Sequence, residues 1–86
     1  MAEQIYQQIL SIEPKHHDAL HLLGVVAHQR GRHELAIDYI QQAIGLCGTD
    51  SAFHNNLGEA YRALGMMPEA IACYRRALEL KPDYDD

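Results

Sequence analysis

An all-α solenoid of antiparallel helix-turn-helix units, five helices in about two and a half repeats, is the fold this sequence predicts. Three observations carry that reading. Leu23-Gly24-Val25-Val26-Ala27 returns as Leu57-Gly58-Glu59-Ala60-Tyr61. In the same register Gly31 returns as Gly65, Ala36 as Ala70, Ile37 as Ile71, Ala43 as Ala77 and Leu46 as Leu80, always 34 residues on and without an insertion. A fixed period of this length marks a repeat architecture, in which each unit buries its apolar face only by stacking on its neighbours. Between the Gly and Pro breaks, the apolar residues recur at helical spacing.

Residues 2–12 read as the first helix, with Ile5, Ile9 and Ile12 on one face and Tyr6 and Leu10 beside them. In the 34-residue register Ala2 and Tyr6 stand where Ala36 and Ile40 stand later, and Pro14 stands where Pro82 does. Residues 1–16 are therefore expected to be the second helix of a truncated repeat. Pro14 stops that helix, because it forces the preceding residue out of helical geometry and has no N–H to donate.

A first full repeat is expected over 17–50. Its first helix covers about 17–30, with Asp18 in the opening turn, where the helix dipole favours a carboxylate. Leu20, Leu23, Gly24 and Ala27 form its packing stripe. Gly31 is a natural stop, since it reaches left-handed geometry without strain. The next helix spans about 33–46, with Leu35, Ala36, Ile40, Ala43 and Ile44 expected inward. Gly48-Thr49-Asp50 is a turn in which Thr49 or Asp50 can cap the following helix.

A second repeat is expected over 51–84. Its first helix, about 51–64, should bury Phe53, Leu57, Gly58, Tyr61 and Leu64, with Gly65 closing it. Met66-Met67 is a turn with an apolar anchor, and Pro68 opens the last helix at the position where its missing N–H costs nothing. That helix runs to about Leu80 with Ala70, Ile71, Tyr74, Ala77 and Leu78, and Pro82 ends it. Tyr84-Asp85-Asp86 is then the threshold of an absent repeat, represented by 85–86. No polar helix closes either end. The faces around Ile5/Ile9 and around Ile71/Leu78/Tyr84 are thus expected to be exposed and prone to self-association, as a possible homo-oligomer.

These residues resemble the tetratricopeptide repeat family: Leu-Gly in one helix, a Gly turn, then Ala-x-x-x-Tyr/Ile-x-x-Ala and a late Pro. The pattern reads Leu57-Gly58, Tyr61, Gly65, Ala70, Tyr74, Ala77 and Pro82, with Leu23-Gly24, Ala27, Gly31, Ala36, Ile40 and Ala43 one repeat earlier. It covers nearly the whole chain. The resemblance implies a non-catalytic protein-interaction module, in which the first helix of each repeat lines a concave groove for a peptide or protein segment. On the face opposite the packing stripe, helical spacing gives Asp18, His21, Leu22, Val25, His28 and Gln29 in the first repeat. In the second it gives Ala52, Asn55, Asn56, Glu59, Arg62 and Ala63.

The two halves of that groove differ in kind. Leu22 and Val25 are apolar and flanked by imidazoles, whereas the second half is polar and mixed in charge. Asn56 stands out because a side-chain amide both donates and accepts, so it can bond a peptide backbone whatever the peptide's side chains. His54-Asn55-Asn56-Leu57-Gly58 resembles the asparagine ladder of O-linked N-acetylglucosamine transferases and related bacterial repeat proteins. Leu22 occupies the equivalent position one repeat earlier, leaving one rung and no ladder. A targeting arm of a larger glycosyltransferase is the reading that this likeness adds. Repeat domains that clamp chaperone C-termini use Lys and Asn where this chain has His21 and Val25, which disfavours that ligand class. Arg62 can meet a carboxylate, although Glu59, three residues before it, is placed to engage it locally.

Composition narrows the partners further. Seven Lys and Arg against twelve Asp and Glu give a net charge of −5, and there is no basic block to neutralise phosphates, so no nucleic-acid partner is expected. No apolar run is long enough to span a bilayer, so no membrane partner is expected either. Cys47 and Cys73 lack metal-like spacing and read as reduced, partly buried thiols; a cytoplasmic setting is the expectation.

Six histidines raise a metal alternative. His17 and His21 lie four apart on one helix face, with His16, Asp18 and His28 nearby. A zinc site needs three or four ligands, and no further cluster converges in sequence. His54 lies on the packing side and reads as structural. No metal or cofactor is therefore expected. Catalysis has no framework: the glycines sit at helix ends and close contacts rather than in a phosphate loop, and no nucleophile–base grouping or paired carboxylates share a pocket.

Overall fold

Glycine, proline and small polar caps divide the chain into its helices. The computed structural model describes residues 2–81, and among them the elements are α1 (Ala2–Ile12), α2 (His17–Gln29), α3 (His33–Leu46), α4 (Ser51–Ala63) and α5 (Met67–Leu80). Gly31 and Gly65 close α2 and α4 at φ of 78° and 77°, a left-handed conformation that a Cβ would strain. Asp50, rather than Thr49, caps α4 by accepting from the Ala52 N–H at 3.0 Å. The cap of α2 is unexpected: His16 Nδ1 accepts from the Ala19 N–H at 3.1 Å. Because α5 already opens at Met67, Pro68 is its second residue and not its first. Both positions lie in the turn whose N–H groups have no helical partner. Pro82, Tyr84, Asp85 and Asp86 lie outside the described residues.

Each helix packs against its chain neighbours, and α2 also touches α4. The α2–α3 and α4–α5 hairpins stack through a core of Leu20, Ile40, Ala43, Phe53 and Leu57, with Leu10, Ile37, Ile44, Cys47, Tyr61 and Cys73 around it. Ala27, Ala36 and Ala60 form a second small-residue contact further along. Two glycines let the hairpins close. A Cβ on Gly24 would lie 2.5 Å from Ile40 Cγ1, and one on Gly58 would lie 2.8 Å from Tyr74 Cε1.

The inward assignments of Leu35 and Leu64 fail, for reasons the geometry makes plain. Leu35 is exposed because the row of α3 that meets its neighbours is Ala36, Ile40 and Ala43, one position round the helix. Leu64 is exposed because α4 ends at Ala63 and leaves it as the C-cap. In α1 the half-buried row is Tyr6, Ile9 and Leu10, so of the face expected to be exposed Ile5 does face outward while Ile9 does not, and Ile12 is 82% exposed. On α5 Ile71 and Leu78 are 45% and 50% exposed, as expected of this end face, since among the described residues no helix lies against that side; Tyr84 lies outside the described residues. Met66 and Met67 are also exposed rather than anchored.

His54 does act structurally. Its Nε2 lies 2.9 Å from the Gly48 carbonyl oxygen, so the ring donates to it and ties the first turn of α4 to the preceding turn. His54→Ala is expected to cost about 1 kcal/mol, the ordinary net worth of one such bond, read as a lower midpoint in urea. Among the described residues no helix is long and apolar enough to cross a membrane.

Candidate functional site

Helices α2 and α4 run side by side as the first helices of the two hairpins, and their non-core rows form one surface. At its centre, Phe53 is buried at 2% exposure and forms a floor. The His21 ring lies over it at 4.4 Å between ring centres, tilted by 35°, an offset stack. His21 Nε2 is 2.7 Å from Asn56 Nδ2. The amide N–H donates, so Nε2 must carry a lone pair and the imidazole proton resides on Nδ1. Asn56 keeps its carbonyl oxygen and second N–H for another group.

Burial pushes the His21 pKa below its ordinary 6.5, against the opposing pull of Asp50 and Asp18. The neutral ring is thus the form the fold prefers. The unfolded chain takes up a proton at a higher pH than the folded one, so stability is full above pH 6.5 and falls as acid carries the folded ring through its lower pKa. The expected result is a thermal midpoint that drops below about pH 6.5, with this part of the slope removed in His21→Gln.

Further along α4, Glu59 is already engaged. Tyr74 Oη on α5 donates to its Oε2 at 2.9 Å, and Arg62 Nη1 lies 3.5 Å from its Oε1. Burial, reinforced by the Glu59 charge, raises the Tyr74 pKa, so the phenol remains a donor at neutral pH. The Arg62–Glu59 pair is solvent-exposed and of little energetic weight. Leu22 is exposed and Val25, Ala52 and Asn55 are half-buried on the same two helices. Asp18 is exposed in the first turn of α2, and Gln29 and Ala63 are exposed as the last residues of α2 and α4.

The structure places two sequence-selected histidines elsewhere. His28 turns to the start of α3, where its Nδ1 lies 2.9 Å from His33 Nδ1, so it serves its own hairpin. His33 was not among the selected residues; two imidazoles five apart across the Gly31 turn were the available signal. His17 and His21 bracket the Phe53 ring, at 5.9 Å and 4.4 Å between centres, rather than facing a shared ion position. His17 Nδ1 is 3.2 Å from Asp18 Oδ1. Among the described residues no group of three or more His, Cys, Asp or Glu converges.

Comparison with known proteins agrees with this architecture. Two tetratricopeptide repeat models match the chain, over residues 2–51 and 51–84. Mouse Tetratricopeptide repeat protein 7B is 37% identical over 76 residues, covering 88% of this chain and 9% of that protein. The human Cell division cycle protein 16 homolog is 36% identical over 91 residues, covering 95% of this chain and 15% of that protein. Among solved structures, a mutant of Thermobaculum terrenum O-GlcNAc transferase superposes with a TM-score of 0.94 at 35% identity, over 95% of this chain and 16% of that one. MamA superposes at 0.87 and 24% identity over 96% of this chain and 48% of its own, a likeness of fold. The chain therefore spans between 9% and 48% of the length of these proteins. With matching repeat models over nearly its whole length and the same helical stack, the chain belongs to the tetratricopeptide repeat family.

Proposed function

We propose that this repeat module binds a peptide or protein segment in the groove formed by α2 and α4, without covalent chemistry of its own. The observation that carries the proposal is the Asn56–His21 pair above Phe53. It joins an apolar floor to an amide that still has a donor and an acceptor to offer, which suits the backbone of an extended segment. Leu22 and Val25 supply an apolar neighbour on one side, and Arg62 supplies a cation on the other. The preferred segment therefore carries an apolar side chain near His21 and a carboxylate near Arg62.

A peptide-library selection against the domain tests this, run beside Asn56→Ala/Arg62→Ala with the fold checked by circular dichroism. Selected peptides should share a motif and bind the double variant at least about tenfold more weakly, the scale of one lost charge-assisted bond. Binders indifferent to the variant would sink the groove reading. The likeness to a repeat segment of an O-GlcNAc transferase supports a second reading, in which the same groove presents segments to a glycosyltransferase domain elsewhere in a longer chain. Exposed Ile5, Ile71 and Leu78 support a third, self-association through the end helices, which light scattering over a concentration series separates from the first.

A further inference from the structure

His21 and Asn56 meet through groups whose roles can be exchanged. With the ring neutral, the Asn56 N–H donates to His21 Nε2 at 2.7 Å, and this bond fixes which end of the amide faces the ring. Oδ1 and the second N–H are left for a ligand, one acceptor beside one donor, which is what a peptide backbone requires. A proton on Nε2 abolishes that arrangement, because two N–H groups then point at each other. The torsion that turns an asparagine amide is broad and roughly two-fold. A half-turn about Cβ–Cγ therefore exchanges Oδ1 and Nδ2 without moving the backbone. After it, Oδ1 accepts from the imidazolium and only N–H donors face outward.

We propose that a proton on His21 turns the Asn56 amide over and inverts the hydrogen-bond polarity of the groove, so that a segment held by its backbone is released in acid. The release rests on the groove reading given above; the amide turn does not. The surroundings suit a ring that works in both states. Phe53, buried at 2% exposure, holds the ring by stacking at 4.4 Å between centres, so the ring stays beside Asn56 when it gains charge. Asp50, which caps α4, and Asp18 on α2 favour the imidazolium, while burial opposes it and sets the switch on the acid side of an ordinary histidine. His17 is the other titratable ring at this point, 5.9 Å from Phe53 between centres. The other helices packed on α2 direct their groups elsewhere along it: Glu3 of α1 meets Arg30, and His33 of α3 meets His28.

The first readout needs no ligand. Long-range proton–nitrogen NMR spectra follow the His21 ring nitrogens through their titration in the whole chain. Nuclear Overhauser effects from the Asn56 Nδ2 protons to the His21 ring report which end of the amide faces it. They should be present while Nε2 is unprotonated and weaken with the same midpoint as the ring, with the backbone spectrum still that of the folded chain. The second readout is the affinity of a peptide selected against the domain at neutral pH. It should fall about tenfold across the His21 midpoint, the scale of a lost backbone contact. The drop should be absent in His21→Gln, which keeps a hydrogen-bonding amide there but does not titrate. Overhauser effects that persist through the midpoint, unfolding before His21 is protonated, or equal losses of affinity in the two proteins would overturn the inference. If the selected peptide shifts residues away from Asn56, the groove reading falls and the release with it, while the Overhauser result still decides the amide turn.

Discussion

Phe53→Ala should lower the unfolding free energy by about 3–5 kcal/mol, the range for deleting a buried aromatic ring. In a domain of this size that corresponds to a thermal midpoint roughly 15–30 °C lower. The magnitude is large because Phe53 joins the two hairpins: it packs with Leu20, Ile40, Ala43 and Leu57, which come from α2, α3 and α4. One repeat earlier the same position is Ala19, so the ring is not required by the repeat as such. It fills this particular junction. Phe53→Leu keeps most of the volume and separates the two roles of the ring. Stability should fall less, while His21 loses its aromatic partner and the burial that lowers its pKa. Histidine titration by NMR should then show the His21 pKa moving back up toward 6.5, and an unmoved value would mean that Phe53 does not shield it.

Gly24→Val is expected to cost about 3 kcal/mol, at the upper end of overpacking effects. An added Cβ meets Ile40 Cγ1 at 2.5 Å and the Ala36 carbonyl oxygen at 3.1 Å. Ile40 is fully buried and β-branched, and the carbonyl is backbone, so neither can give way without moving α3. The control lies in α3 itself. Gly45 is helical with nothing within 4 Å of an added Cβ, so Gly45→Ala should raise stability by about 0.5–1 kcal/mol through helix propensity alone. Urea denaturation of the two variants should give shifts of opposite sign. Two destabilisations of similar size would mean that helix packing at Gly24 is not what the glycine permits.

Much of the fold was legible because it rests on a spacing. The 34-residue period, the turn glycines Gly31 and Gly65 and the stripe Leu20-Leu23-Gly24-Ala27 are properties of sequence order, and the helices follow them closely. Leu35 escaped because inward and outward rows differ by one residue in a helix, and hydrophobicity does not say which row meets a neighbour; Leu64 escaped because α4 stops one residue short of it. The site was legible only as a pair of faces. Position on α2 and α4 selected His21 and Asn56, but that they meet each other between these helices depends on the stagger of two helices 34 residues apart in sequence. Histidine was the hardest residue to place. His16 as a cap, His54 on a carbonyl and His28 with His33 are all local partnerships, decided by side-chain direction and not by residue type.

The central claim is that ligands enter between α2 and α4. Amide chemical-shift mapping with a library-selected peptide tests it most directly. Binding in the groove predicts shifts concentrated at His21, Leu22, Val25, Asn56, Glu59 and Arg62, with the outer face of α5 silent. Shifts centred on Ile71 and Leu78, with His21 and Asn56 unmoved, would contradict it.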